Sequence, residues 1–355
     1  MGSQIIHPSF AFNGSLYNEK TLFLEAQNYS KSQESYKRVI GSFLLEWLND
    51  SEDLKVKTSG STGKPKTIVL KKGHMINSAI ATGTFFNLKA TNTALLCLPV
   101  DFIAGKMMLV RAMVLGLQLD AVAPNLNPLT ETSKIYDFCA MIPLQVQNSF
   151  AKIEQVKTLI VGGAPMAKAL KNKVQNKITS VYETYGMTET ITHVAVKNIQ
   201  TTQNTFKALP EVSFSIDHRN CLIITAPQIT EEPVITNDVV HLISETAFEW
   251  LGRYDMIINS GGIKLNPERI EGIVSKIISN RFFVVGFPDK NLGQKLVLIV
   301  EGNTKTKGLL AQLKKETNLK KFEIPKEIIQ LPKFITTQNG KIQRIKTLEL
   351  AIKKE

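Results

Sequence analysis

The sequence predicts an α/β protein: a large N-terminal α/β domain that includes a β-rich subdomain, followed by a small α+β C-terminal domain. Three observations carry this. Short apolar runs ending at Pro or Gly alternate with helix-like stretches through the first half of the chain. The pattern turns to strands and tight turns between Val212 and Leu251, and a fresh hydrophobic pattern starts after Arg253. The 355 residues fit two bodies at roughly 150 residues per domain, placed here as 1–253 and 254–355 with little linker between them.

In chain order, the runs at 94–98 and 158–161 stop at Pro99 and Gly162, as buried strands do. The stretch from Ala94 to Leu119 is the most apolar of all. Asp101, Lys106 and Arg111 interrupt it, and each is costly at a bilayer centre, so it reads as a buried strand and helix rather than a membrane span. The segment 214–216 alternates, 221–225 is a compact strand, and Asp217 to Asn220 between them reads as a hairpin loop. Beyond the boundary, Asn266 is an N-cap, Pro267 a first-turn proline and Glu268 a first-turn acid, opening a helix through Ile278. Strands are expected at 282–285 and 296–300 and a helix near 307–317, and the chain is expected to end in a basic, loop-rich tail.

Composition narrows the functional classes. Hydrophobic residues make up 43% and charged residues 21%, ordinary globular usage and far from disordered chains. The net charge of +12 attracts polyanions, whether nucleic acid, an acidic membrane or a phosphorylated small molecule. Cys97, Cys139 and Cys221 show no paired spacing, which argues against a disulfide framework and a zinc site and for a reducing cytoplasm. No basic segment followed by an apolar run opens the chain, so no secretory signal is expected. Basic residues are not interleaved with aromatics, so nucleic acid is not the expected partner; stable membrane insertion is not expected either, and homo-oligomerisation stays open.

The strongest local chemistry is in residues 58–66, Thr-Ser-Gly-Ser-Thr-Gly-Lys-Pro-Lys. Hydroxyls, glycines and lysines at this density can wrap a polyphosphate; a surface turn of small polar residues is the alternative. A Walker A loop needs Gly at 58 and Ser or Thr after Lys64, where Thr58 and Pro65 stand, and a nucleophile elbow needs Gly rather than Ser59 two places before Ser61. Tyr185-Gly-Met-Thr-Glu189 offers an aromatic face, a hydroxyl and a hard carboxylate within one short segment, which suits adenine, a phosphate oxygen and Mg²⁺; a capped helix start with an exposed Glu is the plainer reading.

These segments resemble, in the same order, the motifs of the adenylate-forming superfamily of acyl-CoA synthetases, nonribosomal-peptide adenylation domains and firefly luciferase. Residues 58–66 match its phosphate loop, 182–190 its second core motif, Gly252-Arg-Tyr-Asp255 its hinge, Gly262-Ile-Lys-Leu-Asn-Pro267 the motif after the hinge, and Asn339-Gly-Lys-Ile342 its C-terminal lysine motif. The resemblance implies that Thr58, Ser59, Gly60, Ser61, Thr62, Gly63 and Lys66 hold phosphates, with Gly162, Gly163, Gly186 and Gly262 also among the nucleotide contacts. Tyr185 would stack on adenine, Thr188 would touch the α-phosphate and Glu189 would hold the metal. Asp238 would take the ribose, although Asn237 stands where Gly is usual in its motif, and Arg253 would reach ribose and phosphates. Lys341 would bridge the acid's carboxylate and the α-phosphate, a cation between two anions worth roughly 3 kcal/mol.

Two departures stand out. The phosphate loop comes early, which implies a reduced N-terminal subdomain and a compact acid pocket, and Phe102 replaces a His usual before the small residues of 103–105. The short length with 103–108 and 258–265 is most similar to the compact 2-succinylbenzoate-CoA ligases of menaquinone biosynthesis. The implied cofactors are ATP, Mg²⁺ and coenzyme A as co-substrate, and the partner is a small carboxylic acid. Its second carboxylate needs a counter-ion, for which Lys106 is a candidate and a snorkelling helix lysine the alternative; His193 is a second pocket candidate, with an ordinary satisfied histidine as its alternative. Rival readings are a stand-alone adenylation enzyme that loads a carrier protein, a ligase for another aromatic or short acid, and a basic nucleic-acid binder.

Overall fold

The computed structural model describes residues 6–57, 67–201, 203–302, 308–316, 318–336 and 342–352. The chain forms two compact units. One comprises Met1–Phe214, Ile224–Val234 and Glu245–Ala247, the other Ser215–Ile223, Ile235–Ser244 and Phe248–Glu355. The boundary placed after Arg253 lies within the second unit, and a division at that residue remains a proposal.

In the first unit the sheet runs in the order Phe206–Ala208, His193–Asn198, Ser180–Gly186, Val156–Val161, Tyr136–Met141, Thr93–Leu96, Gln118–Ala121, Ala11–Phe12, Ser15–Leu16. From Ser180–Gly186 to Ala11–Phe12 neighbours are parallel; the outer pairs are antiparallel. The parallel strands read as continuous apolar runs because helices cover both faces. Leu95, Cys139, Leu159 and Val181 all lie in one core beside Val146 and Leu170. After Thr93–Leu96 the chain builds Gln118–Ala121 on one side and then crosses to Tyr136–Met141 on the other. Such a reversal opens a crevice at the carboxyl ends of the strands, the usual binding place in α/β sheets. The loop leaving Thr93–Leu96 enters the helix Ile103–Leu115 there, and Gly105 is required because a Cβ would lie 2.3 Å from the Pro99 carbonyl oxygen. The expected strand and helix between Ala94 and Leu119 are both present, and among the described residues no helix is long and apolar enough to cross a membrane.

The second unit holds most of the strands Cys221–Thr225, Val234–Ser244 and Ala247–Arg253, with the expected hairpin loop at 217–220 closed by Asp217 N donating to Cys221 O and Asn220 N to Asp217 O. Its C-terminal sheet pairs Phe282–Asp289 with Gly293–Glu301, which also pairs with Ile258–Ser260 and, in parallel, with Glu327–Leu331. Consecutive residues of Gly293–Glu301 point to opposite faces. Leu296, Leu298 and Val300 pack on Ile270, Val274, Leu309 and Leu313, while Val297 and Ile299 pack on Phe283, Phe287, Phe334 and Ala351.

That second face corrects the expected loop-rich tail. Its apolar residues need a cover, and the chain supplies the helix Arg344–Ile352, with Thr347 and Ala351 buried. The helix begun by the Asn266 cap is Pro267–Val274, shorter than expected; Ile278 still reaches the core through a following turn in which its N donates to Val274 O.

Candidate active site

Two glycines at the strand ends are dictated by close packing. A Cβ on Gly162 would lie 2.5 Å from Thr184 Oγ1, and one on Gly186 2.2 Å from Thr192 O. Gly163 sits at φ +81°, a left-handed conformation that favours glycine. Tyr185 packs its ring on Phe206 with centroids 5.8 Å apart. Two places earlier, buried Glu183 takes charge-assisted bonds from Lys171 and Lys197 at 2.8 and 2.9 Å and accepts the Met166 N–H at 2.8 Å. Burial alone would raise its carboxyl, but Lys197 and Lys171 outweigh that and hold it below the usual glutamate value. Lys197 also sits over the Phe206 ring at 4.5 Å. Glu183 thus ties the segment after Gly162-Gly163 to the strand carrying Tyr185, a link the sequence reading missed.

The expected phosphate and metal contacts sit on the turn Thr188–Thr190, with Thr188 half-buried and Glu189 exposed. Thr190 pins this turn, its Oγ1 accepting Met187 N and donating to backbone oxygen. Ile191 then adopts φ +63° and ψ −62°, with Thr192 N donating to Thr190 O at 2.6 Å. A β-branched residue in such a γ-turn is strained, and the turn delivers His193 into the interior.

There His193 meets Arg111, and both are buried. Arg111 Nη2 lies 3.4 Å from His193 Nδ1 and from Thr192 Oγ1, its Nε donates to Thr82 Oγ1 at 3.3 Å, and His193 Nε2 is 3.4 Å from that hydroxyl. An Nε2–H tautomer fits all of these bonds, since a guanidinium can only donate. Burial, then the Arg111 charge, pushes the His193 pKa well below its usual value, so the imidazole is neutral. Burial pushes Arg111 down to about 9, leaving it a cation at neutral pH. Among the described residues no carboxylate pairs with it, and the nearby Ser78 hydroxyl, one turn before Thr82, is buried without a partner.

Among the described residues no hydrogen bond joins Lys106 to His193; Lys106 is buried with its ammonium 4.7 Å from the Phe43 ring centre, and desolvation lowers its pKa. Arg111, noted in the sequence only as an interruption of an apolar run, is a second buried cation on the same helix. A helix buried on nearly all sides was the signal, because it forces any arginine within it to be buried too.

Asp238, Arg253 and Gly262 belong to the second unit. Asp238 is buried, accepts Trp250 Nε1 at 3.1 Å, and lies 3.8 Å from Arg253 Nε, so these two expected ribose contacts are brought together. Arg253 also makes a two-pronged pair with Asp255 at 3.0 and 2.8 Å, and Gly262 at φ +81° has open space where a Cβ would stand. Residues Thr58, Ser59, Gly60, Ser61, Thr62, Gly63, Lys66 and Lys341 lie outside the described residues; the strands flanking the first seven pair antiparallel, Lys57 opposite Thr67.

A family described as AMP-binding enzyme matches residues 57–223. The acyl-CoA synthetase (AMP-forming)/AMP-acid ligase II-like protein of Dyadobacter fermentans DSM 18053 is 34% identical, with 92% of this chain and 97% of that one covered and a TM-score of 0.61. This chain belongs to the AMP-forming acyl-CoA synthetase family. Family members are AMP-forming acid-CoA ligases. The 2-succinylbenzoate-CoA ligase of Listeria monocytogenes serotype 4b (strain F2365) is 26% identical over 320 residues, 82% of this chain and 68% of that protein. The o-succinylbenzoate CoA synthetase (MenE) of Bacillus subtilis, in complex with the acyl-adenylate OSB-AMP, shares the fold at TM-score 0.74 and 18% identity over 92% of this chain and 80% of that one.

The residues present fit a metal that arrives with its nucleotide. Among the described residues no cluster of three His, Cys, Asp or Glu could hold an ion alone, whereas Mg²⁺ commonly takes one or two carboxylates plus substrate phosphates. Exposed Glu189 could serve as such a carboxylate.

Proposed function

We propose that the chain joins 2-succinylbenzoate to coenzyme A through an acyl-adenylate. The observation that carries the choice of acid is Arg111, a buried guanidinium with no carboxylate partner among the described residues. A cation kept at this cost suits an acid with a second carboxylate, and the names of several 22–26% identical relatives point to the same acid.

In this reading the reacting carboxylate of the acid attacks the α-phosphorus of ATP, forming the P–O bond of acyl-AMP as the bond to pyrophosphate breaks. CoA sulfur then attacks the acyl carbon, AMP leaves with the electron pair, and the thiol proton goes to solvent. Thr188 donates to the α-phosphate, Tyr185 and the Gly162-Gly163 segment bind adenine, and Asp238 with Arg253 orients the ribose. Glu189 would hold Mg²⁺, which would supply neutralisation of the triphosphate charge. Lys341 screens the two anions in the first step. The part beyond Arg253 turns between the steps, about 254–256.

Pyrophosphate release with 2-succinylbenzoate, benzoate and a medium-chain fatty acid, each with and without CoA, tests this. Preferred release and thioester formation with 2-succinylbenzoate are expected. A better monoacid would overturn the choice of acid. Acyl-AMP without thioester from free CoA would favour the carrier-loading reading.

A further inference from the structure

Asn237, which stands where the family motif has Gly, has a partner. Its Oδ1 accepts Arg219 Nη1 at 3.0 Å, and Arg219 Nη2 donates to the adjacent Thr236 carbonyl at 3.3 Å. Arg219 sits at the tip of the 217–220 hairpin. There Asp217 holds its Nε at 2.8 Å and its Nη2 at 2.7 Å, while the other Asp217 oxygen accepts the backbone N–H of Arg219 and of Cys221. The guanidinium then lies over the Tyr254 ring, 5.2 Å from its centre. Tyr254 opens the short turn Tyr254–Met256, in which Ile257 N donates to Tyr254 O. One planar cation therefore touches three segments: its own hairpin, the peptide leading into Asp238, and the turn after Arg253. All three lie in the second unit.

We propose that Arg219 is a positioning residue, a clasp that fixes the Tyr254 turn to the strand carrying Asp238 and so governs the turning step between the two half-reactions. The proposal rests on the two-step ligase reading above. A lysine could not replace it, because only the guanidinium fork reaches Asp217, Asn237 and the Thr236 carbonyl at once while stacking on a ring. Asn at 237 has a use that Gly could not serve: it supplies the acceptor that orients the fork. Arg219→Ala removes the clasp but leaves the backbone bonds that Asp217 makes to the hairpin, so the loop retains its closure.

The experiment combines amide hydrogen exchange on the full chain with separate rates for acyl-AMP formation and for CoA attack on supplied acyl-AMP. In Arg219→Ala the amides of 254–257 should exchange about tenfold faster with the Cys221 amide unchanged, and the ratio of the two rates should shift about fivefold. Tyr254→Phe, which keeps the ring face, should behave as the unmodified chain. Tyr254→Ala should reproduce Arg219→Ala, and the double variant should add little. Unchanged exchange at 254–257, equal loss in both half-reactions, or multiplying effects in the double variant would each overturn the clasp. If the unmodified chain formed no acyl-AMP, the ligase reading would fall, and exchange at 254–257 alone would decide the clasp.

Discussion

Replacing Arg111 by Met should make the protein more stable and worse at its reaction. The arginine is 1% exposed and burial pulls its pKa from the usual guanidinium value down to about 9, a fall of more than three units. At roughly 1.4 kcal/mol per pKa unit, that is a desolvation cost of about 5 kcal/mol. For a base with a lowered folded pKa the cost is fully present below that pKa and is relieved only as pH climbs from about 9 toward the usual guanidinium value, so it applies in full at pH 7. The bonds to Thr82, Thr192 and His193, at 3.3 to 3.4 Å, are long and offset about 1 kcal/mol each. The net is about 2 kcal/mol against folding. Met fills similar volume without the charge and should raise Tm by about 2–6 °C in differential scanning fluorimetry. In a coupled pyrophosphate assay, kcat/KM for 2-succinylbenzoate should drop by about 30- to 1000-fold, with less than about threefold loss for a monoacid. A lower Tm together with equal losses for diacid and monoacid would refute the reasoning and return Arg111 to a structural role.

Three further outcomes follow from the same account. Lys341→Ala should slow acyl-AMP formation by about 100-fold while sparing CoA attack on supplied acyl-AMP, measured as separate half-reactions; equal losses would remove Lys341 from the first step. Glu189→Gln should shift the Mg²⁺ titration of pyrophosphate release to higher concentration, because a neutral amide is a poor ligand for a hard cation; an unchanged titration would make Glu189 a surface residue of its turn. Glu183→Gln should cost about 3–5 kcal/mol at pH 7 by leaving buried Lys197 without its carboxylate and with only the Asn204 side-chain oxygen as acceptor. Since the Glu183 carboxyl is held below its usual value, its contribution is present above the unfolded pKa and lost as pH falls through the folded one. The difference between the two proteins in urea unfolding should therefore shrink as pH falls below the usual glutamate value toward the lower folded one, and a constant difference across that range would contradict the ion-pair account.

Much of this was legible from the chain because the signals are local. The strand Cys221–Thr225 follows from an apolar run and the hairpin loop before it from the polar stretch between Asp217 and Asn220, and the Asn266 cap with Pro267 fixes where a helix begins. Where that helix stops was not legible, since Ile277 and Ile278 face the core whether the backbone continues or turns. The helix Arg344–Ile352 was missed for a related reason: its basic residues read as a solvated tail, and the demand for it comes from Phe283, Phe287, Val297 and Ile299 on a distant sheet face. Motif order is what proposes Tyr185, Thr188 and Glu189 in the first unit, and Asp238 and Arg253 in the second, as nucleotide contacts. The residues it passed over, Arg111, Glu183, Lys197 and Arg219, matter through tertiary partners or the lack of them. Sequence shows that an arginine interrupts an apolar helix; only the fold shows that no carboxylate among the described residues meets it.

The central claim is that this ligase selects an acid by its second carboxylate. One competition measures that directly: the unmodified chain with ATP, Mg²⁺, CoA and equal amounts of 2-succinylbenzoate and its ester at the carboxylate that does not react, the thioesters separated and quantified by mass. The account predicts that the diacid thioester exceeds the ester's by about 100-fold and that Arg111→Met brings the two near parity. Near parity in the unmodified chain would contradict it.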